Sequence, residues 1–287
     1  MTWERNVEQP DMPAAWTDPA AYETFMGRWS TLLAPRLIAV ASIAAGIAAD
    51  LVPGSARASR VLDVGCGTGV LSKALADAGA EVVGIDASEP YLDAARLHRF
   101  HPNIAYEFGD ICRMRFEDRS FDAAVSTLVL DLLPDAEPAV AEMRRVTRAG
   151  GVIACALHDF WGVPYASLVW DTGAVLDTGM AELRDFMKGR PLSTANGQAA
   201  LWRRAGLIEV TEVPVVVDCN YTSFADYWAT FAGGQGRVAG RLMELPDEVR
   251  GEIERHVRAG YLAGMPDGPR CFPMLFRAVR GIVPGGT

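Results

Sequence analysis

The feature that most constrains the fold of this chain is the stretch Val61–Val70, VLDVGCGTGV, an apolar run that breaks into three glycines at alternate positions. Such a run predicts a buried strand followed by a loop whose backbone approaches a nucleotide. The dinucleotide fingerprint G-x-G-x-x-G fits in neither register, because its third glycine would fall at Val70 or at Ser72. The stretch is D-x-G-x-G-x-G instead, with Asp63 two residues before Gly65. A carboxylate there would repel a phosphate but could hold a cation.

Downstream of this loop, strand and helix patterns alternate at short intervals. Apolar runs at 60–65, 81–88, 103–110, 121–131 and 152–159 predict five strands, and runs at 206–218 and 271–283 predict two more. Helical patterns occupy 69–80, 89–100 and 137–151, with Ser88 as an N-cap and Gly150-Gly151 closing the last helix. Strand–helix–strand units at these spacings predict a doubly wound, mostly parallel α/β sheet of seven strands with helices on both faces.

Charge and cysteine usage narrow the partners and the compartment. The formal net charge of −9 repels a phosphate backbone, so we expect no nucleic-acid partner. The five cysteines are scattered and never spaced C-x-x-C, which indicates reduced thiols in the cytoplasm and no metal site. The N-terminus lacks the pattern of a signal peptide. The uncharged segment Leu37–Ala49 would span roughly 20 Å as a helix, short of the ~30 Å bilayer core. We interpret it as a buried helix and expect no membrane partner.

Four motifs after the glycine loop stand in an order that is typical of one enzyme family. Asp86 ends the second predicted strand, 17 residues past Gly69, and Gly109-Asp110-Ile111 ends the third. Ser120–Val125 opens the fourth strand, and Arg148–Gly151 precedes the fifth. With these motifs the chain resembles, over most of its length, the small-molecule branch of the class I S-adenosylmethionine-dependent methyltransferases, whose sheet is Rossmann-like.

The resemblance implies S-adenosylmethionine as the cofactor and S-adenosylhomocysteine as its product. It implies that Asp86 holds both ribose hydroxyls, that Asp110 meets the adenine amine, and that Ile111 lies against the adenine ring. It also implies that Gly65 and Gly67 let the backbone come close to the methionyl part of the cofactor. The expected cofactor-binding set is completed by Asp63, Ala87 and Thr127.

An upstream segment, Tyr22–Ser30, resembles the lid of the same family. The resemblance implies that Tyr22 covers the cofactor and that Arg28 reaches its methionyl carboxylate. We therefore divide the chain into four parts: an N-terminal lid and helical extension (1–59), a cofactor-binding core (60–159), a helical insertion that caps the substrate (160–205), and the C-terminal part of the sheet with a second helical insertion at about 222–265 (206–287).

The substrate is expected beyond the carboxyl ends of the fourth and fifth strands, where three side chains are candidates for catalysis. His158 is a candidate general base, because only histidine titrates near neutrality when unperturbed. The alternative is a neutral histidine that closes the strand. Asp131 either orients a substrate amine or hydroxyl or caps the next turn, and Tyr165 is the third candidate. Aromatic residues of the insertions, Trp161 and Trp228 among them, either line an apolar pocket or belong to the core.

The favoured function is methylation of a small, aromatic or apolar metabolite at oxygen, nitrogen or carbon, with a homodimer left open. One alternative is a non-catalytic cofactor-binding or assembly protein, because a fold alone does not define a function. The other is a nicotinamide oxidoreductase, which the failed dinucleotide register opposes.

Overall fold

The computed structural model describes residues 18–42 and 59–285. The N-terminal part contains α1 (Pro19–Tyr22), a π-helical turn (Glu23–Gly27) and α2 (Arg28–Ser42). The central part contains β1 (Arg60–Val64), α3 (Val70–Asp77), β2 (Glu81–Asp86), α4 (Glu89–His98), β3 (Ile104–Phe108), β4 (Phe121–Thr127), α5 (Glu137–Val146) and β5 (Thr147–His158). The C-terminal part contains α6 (Pro164–Leu176), α7 (Thr178–Lys188), a 3₁₀ turn (Pro191–Ser193), α8 (Gly197–Arg204), β6 (Ile208–Tyr221), α9 (Phe224–Ala232), α10 (Gly236–Glu244), α11 (Asp247–Leu262) and β7 (Arg270–Ile282).

The seven strands form one sheet in the order β3-β2-β1-β4-β5-β7-β6. The five strands from β1 to β5 run parallel, and β7 lies antiparallel between β5 and β6. This confirms the predicted doubly wound, mostly parallel sheet. The strand order reverses between β1 and β4, and ligands of open α/β sheets bind outside the carboxyl ends of the strands at such a point. The glycine loop follows β1 at this position.

Apolar side chains cover both faces of the sheet because the strands point successive residues to opposite sides. In β1, Val61 belongs to one buried cluster, and Leu62 and Val64 belong to the other. Helices α2 and α3 pack in the first cluster, and α5 and α8 pack in the second. The strands therefore read as continuous apolar runs, as strands buried on both faces do.

The segment expected to form a buried helix from Leu37 is described only as far as Ser42, in α2, and its remainder lies outside the described residues. Leu37 is fully buried against the sheet. Across the described ranges, no helix has both the length and the apolar character needed to cross a bilayer.

Two insertions of helices follow β5 and β6. Helices α6 and α7 of the first insertion pack against the helices of the second, α9–α11, and α8 packs on the other face of the sheet. The hydroxyl of Tyr227 donates to the backbone carbonyl of Tyr165 at 2.5 Å and joins α9 to α6. The ring of Tyr227 also lies 5.2 Å from that of Tyr221 and 5.5 Å from that of Phe231. These aromatic rings are core residues. Trp161, which could have lined a pocket, is 69% exposed.

The end of β4 differs from the sequence prediction. The strand stops at Thr127 instead of continuing to Asp131, because Leu128 has a φ of +62°. A left-handed residue turns the chain out of the strand, and for a leucine this conformation is strained. The backbone N–H of Leu128 still donates to the carbonyl of Ala156 at 2.9 Å, so the turn stays fixed to β5.

The boundary between α5 and β5 also differs from the prediction, which extended the helix to Gly151. The helix ends at Val146, and Thr147 already pairs with Phe121 in the sheet. A register shift follows, with Gly150 at a φ of +76°. A Cβ on Gly151 would lie 2.6 Å from the carbonyl oxygen of Asp122, so the double glycine forms an irregularity inside the strand rather than a helix end.

Candidate active site at the carboxyl edge of the sheet

The glycine loop after β1 has a backbone that only glycine adopts easily. Gly65 and Gly67 have φ values of +71° and +52°. A Cβ on Gly65 would lie 2.5 Å from a methyl group of Val129, so this position has no room for a side chain. The backbone N–H of Gly65 donates to the carbonyl of Ile85 at 2.8 Å and ties the loop to β2. The loop therefore takes a backbone conformation that favours glycine, and its expected contact with a ligand stays a prediction.

Asp63 is fully buried at the end of β1 and is only half satisfied. The hydroxyl of Ser72 donates to its Oδ2 at 2.6 Å, and its Oδ1 has no hydrogen-bond partner among the described residues. Burial raises the pKa of Asp63 to about 7. A cationic group nearby would favour the charged form and lower that pKa. The geometry thus fits the expectation that this carboxylate faces a cation.

Asp86 ends β2 with its carboxylate fixed by two backbone donors. The N–H of Gly67 donates to Oδ2 and the N–H of Ser88 donates to Oδ1, each at 2.8 Å. Burial raises the pKa of Asp86, and these backbone hydrogen bonds oppose the rise. Each carboxylate oxygen keeps a second acceptor site, so a diol could still bind. Ala87 follows at the start of the connection to α4.

The other predicted cofactor residues continue along the same edge of the sheet. Asp110 lies just beyond β3, where its Oδ1 accepts the N–H of Cys112 at 2.8 Å and fixes the turn. Ile111 is buried in the core, and Thr127 ends β4 next to β1. Because these strands are parallel neighbours, the structure brings Asp110, Asp86, the glycine loop and Thr127 together along one edge.

These features fit S-adenosylmethionine. The glycine cradle would accept its amino-acid end, the half-satisfied Asp63 would face its ammonium and sulfonium charges, and Asp86 would meet the ribose hydroxyls. The order of strands then places Asp110 and Ile111 on the adenine side. The fit rests on the donors, the acceptors and the space that this edge presents.

The N-terminal segment contacts the glycine loop through Glu23 and packs on α4 through Tyr22. The ring of Tyr22 lies 5.4 Å from that of Tyr91, and burial raises the pKa of Tyr22 to about 12. Glu23 accepts from the hydroxyl of Thr68, in the loop itself, at 2.7 Å and from Arg99 at 2.9 Å. The sequence pattern did not single out Glu23, because its partners are 45 and 76 residues away.

Arg28 contacts the start of α9, the end of β6 and its neighbour Trp29. Its guanidinium donates to Asp226 at 2.7 Å and to the carbonyl of Asn220 at 3.0 Å, and it lies 4.3 Å from the ring centroid of Trp29. In the structure Arg28 fastens the N-terminal segment to α9 and β6. Its expected role at the methionyl carboxylate of the cofactor stays a prediction.

The three catalytic candidates line a single cavity of about 80 Å³ beside the strand ends. His158 comes from the end of β5, Asp131 from the turn after β4, and Tyr165 from α6. The rest of the wall consists of Tyr22, Phe25, Met26, Leu128, Leu132, Phe160, Ala166, Met187, Arg190, Phe231, Gly236, Arg237 and Val238. Tyr22 also packs on Tyr91, and a Cβ on Gly67 of the glycine loop would lie 3.8 Å from the Tyr91 ring, so the cavity adjoins the candidate cofactor site.

His158 differs from the expected general base. Its ring is stacked 5.5 Å from Phe160 and lies 4.9 Å from Phe276, and its Nε2 is buried without a partner among the described residues. Burial lowers the pKa of His158 to about 4. The premise that it titrates near neutrality is therefore wrong, and His158 is a neutral side chain at physiological pH.

Asp131 and Tyr165 are both buried in the cavity wall. The Oδ1 of Asp131 makes no hydrogen bond to any described residue, so at this atom the expected turn cap is absent. Burial raises the pKa of Asp131, and the charges of Arg190 and Arg237 partly oppose the rise. The hydroxyl of Tyr165 approaches Met26 Sδ at 3.7 Å, and burial raises its pKa, so it stays protonated. The cavity holds polar atoms available to a ligand inside an apolar wall.

Comparison with known proteins supports this arrangement. Residues 62–155 match a family model described as a methyltransferase domain. A ubiquinone biosynthesis O-methyltransferase of Pseudomonas aeruginosa is 30% identical over 162 residues, which are 54% of this chain and 66% of that protein. A demethylmenaquinone methyltransferase of Renibacterium salmoninarum is 40% identical over 103 residues, which are 36% of this chain and 43% of that protein. Each match spans less than two thirds of the relative's own length.

A solved structure shares the fold. Phosphoethanolamine N-methyltransferase 2 of Haemonchus contortus, in complex with phosphomonomethylethanolamine and S-adenosylhomocysteine, has a TM-score of 0.53 and 16% identity, covering 93% of this chain and 57% of that one. At this identity the likeness shows the fold alone. The region that the family model matches contains the glycine loop, the candidate cofactor residues from Asp63 to Thr127 and most of the central sheet.

Proposed function

We propose that this chain, which belongs to the class I S-adenosylmethionine-dependent methyltransferases, methylates a small molecule with an aromatic or apolar body. The observation that carries the proposal is the joining of two sites. The fixed carboxylate of Asp86 and the glycine loop form the first, and the cavity lined by His158, Asp131 and Tyr165 forms the second. Tyr22 lines the cavity and packs on Tyr91, which lies beside Gly67 of the glycine loop, so a group held at this loop would be next to an acceptor in the cavity.

S-adenosylmethionine, when bound, supplies a methyl group on a sulfonium that needs no activation by the protein. The tasks left to this chain are positioning and exclusion of water. Asp86, Asp110 and the glycine loop would orient the cofactor, and the contact of Glu23 with Thr68 would hold the N-terminal segment closed over it. The lining of Phe25, Phe160 and Phe231 would exclude water from the acceptor.

The polar atoms of the cavity would orient the acceptor. His158 is neutral, so it can accept or donate a hydrogen bond, but a base with a pKa of about 4 takes up a proton poorly at neutral pH. Asp131 has a raised pKa and is the better place for a proton released by an acceptor hydroxyl or amine. Tyr165, which stays protonated, would act as a hydrogen-bond donor. In this proposal Asp131 takes up the proton released by the acceptor, and His158 helps to position the acceptor through a hydrogen bond.

The test is isothermal titration with S-adenosylhomocysteine and with NAD, followed by Asp86→Asn. We expect S-adenosylhomocysteine alone to bind, and Asp86→Asn to weaken it about tenfold or more, because a charge-assisted contact to the ribose is lost. The matched control is Asp93→Asn, an exposed aspartate of α4 paired only with Arg96, which should bind as the wild type does. Binding of NAD alone would overturn the proposal, and unchanged affinity in Asp86→Asn would remove the ribose role.

Turnover distinguishes an enzyme from a protein that only binds the cofactor. Formation of S-adenosylhomocysteine is measured with a panel of small phenols, amines and aromatic acids as acceptors. Methylation of any one of them supports the proposal. Cofactor binding without turnover on the whole panel would favour the non-catalytic alternative.

The remaining assignments are also proposals. We place the protein in the cytoplasm on the strength of its five free cysteines, which suit a reducing compartment. The acidic net charge of −9 supports a small-molecule partner over a nucleic acid. The divisions at 59, 159 and 205 are proposed as functional boundaries because helical insertions follow β5 and β6 directly. Light scattering measures the molar mass in solution and shows whether the protein forms a homodimer.

A further inference from the structure

Two arginines lie at one end of the cavity. Arg190 follows α7 and Arg237 lies in the first turn of α10, and both line the cavity. In the part of the chain that the structure describes, neither guanidinium makes an ion pair or a side-chain hydrogen bond. Both instead flank the ring of Phe186, with guanidinium carbons 5.4 Å and 5.5 Å from its centroid. Two positive charges are thus held close together on an aromatic support.

Other cations of the same region are neutralised, which sets these two apart. Lys188, at the end of α7, pairs with Asp171 at 3.1 Å, and Arg241, one turn after Arg237 in α10, pairs with Asp177 at 3.0 Å. The region therefore contains carboxylates for its structural cations. The pair at the cavity is left without one.

The N-terminal end of α10 adds positive potential at the same place. Its first three residues, Gly236 to Val238, line the cavity, and no side chain caps this end. The preceding Gln235 is buried, and its amide oxygen has no partner among the described residues. Free N–H groups and the helix dipole at such an end favour a negative charge.

Asp131 is the one carboxylate in the cavity wall, and it does not complete this site. It is 5% exposed, its Oδ1 has no partner, and it lies outside ion-pair distance of both guanidiniums. A single carboxylate compensates at most one of the two positive charges. Burial also lowers the pKa of Arg190, which shows a charge taken from water without a full counter-charge.

We propose that the acceptor carries an anionic group, a carboxylate or a phosphate, which binds between Arg190 and Arg237 at the end of α10 while its apolar body enters the cavity. The planar fork of a guanidinium matches both anions. The opposite end of the molecule would then reach Asp131, His158 and the methyl donor. This inference rests on the proposed methyl transfer and narrows its substrate class.

The experiment measures fragment binding to protein saturated with S-adenosylhomocysteine. The probes share one phenol ring and differ in the group opposite the hydroxyl: 4-hydroxybenzoate, 4-hydroxyphenyl phosphate, 4-hydroxybenzamide and 4-hydroxybenzylamine. We expect at least one of the two anions to bind tenfold to a hundredfold more tightly than the amide, and the amine to bind least. The ratio between benzoate and phosphate shows which anion the site prefers.

Variants attribute this preference to the two arginines. Arg190→Gln and Arg237→Gln should each reduce the ratio of anion to amide affinity about tenfold, and Arg237→Lys should keep part of it. The control is Arg255→Gln, an exposed arginine of α11, which should bind as the wild type does. Retained binding of S-adenosylhomocysteine shows that each variant is folded.

Three outcomes overturn the inference. They are tightest binding of the amine, equal affinity of the wild type for all four probes, and binding of none of them. In each case intact binding of S-adenosylhomocysteine leaves the proposed methyl transfer standing. Failure of the wild type to bind S-adenosylhomocysteine would instead refute the proposed function itself.

Discussion

Replacing His158 by phenylalanine should remove a pH-dependent loss of stability. The side chain lies between two aromatic rings, and burial lowers its pKa from 6.5 to about 4. Between these two pH values the unfolded chain binds a proton at His158 and the folded chain does not. The free energy of unfolding of the wild type therefore falls as the pH falls through this window. Phenylalanine keeps the aromatic contacts and binds no proton, so the variant lacks this contribution.

The size of the effect follows from the shift. Each pKa unit corresponds to about 1.4 kcal/mol, so the full shift is worth about 3 kcal/mol and the part lost by pH 5 is roughly 2 kcal/mol. The assay is urea unfolding at pH 7.5 and pH 5, followed by tryptophan fluorescence. We expect His158→Phe to gain roughly 2 kcal/mol on the wild type between the two pH values. The control is Phe231→Leu, a substitution in the same cavity wall, which should lower the free energy of unfolding by the same amount at pH 7.5 and at pH 5. A constant difference between wild type and His158→Phe would refute the buried, neutral histidine.

Three further predictions concern the cofactor side of the site and the sheet. The free energy of unfolding of Asp63→Asn should rise relative to that of the wild type as the pH rises from 4 to 7. The reason is that the pKa of Asp63 is raised to about 7 in the folded protein, so the wild type loses stability across this pH range and the variant does not. Urea unfolding at pH 4 and at pH 7 measures the difference. Glu23→Gln should increase hydrogen exchange in the loop around Thr68, because the charge that holds Arg99 is lost; unchanged exchange in the loop would mean that the contact does not hold the segment closed. Gly151→Ala should lower the free energy of unfolding by about 1–3 kcal/mol, because its Cβ would meet backbone at 2.6 Å, and equal stability would contradict the irregular strand.

The placement of the candidate cofactor residues along one edge of the sheet could be predicted from the sequence because it depends on local features. The glycine loop, Asp86 and Asp110 each follow a strand within a few residues, and parallel strands bring their carboxyl ends to one edge. The acceptor side depends on distant contacts. Arg28 meets Asp226, 198 residues away, and the surroundings that lower the pKa of His158 include Phe276. No periodicity or motif in the sequence indicates those pairs.

The boundary of β4 shows the same limit at close range. The apolar run that continues to Asp131 predicts a longer strand, but Leu128 takes a left-handed conformation that leucine rarely adopts. The preference of leucine for an extended or helical backbone is overridden at this position, where Leu128 is hydrogen-bonded to β5 and its side chain lines the cavity. Such strain is commonly found at functional sites, and here it lies between the two parts of the proposed active site.

This turn after β4 joins those two parts mechanically. Leu128 and Asp131 line the cavity, while Val129, between them in the chain, fills the space above Gly65 in the glycine loop. A Cβ at Gly65 would lie 2.5 Å from Val129, so the turn packs directly on the loop. Since a close-packed contact transmits small displacements, we expect a ligand that shifts the glycine loop to shift Asp131 as well. We therefore expect the positioning of the acceptor to respond to occupancy of the cofactor site through Val129.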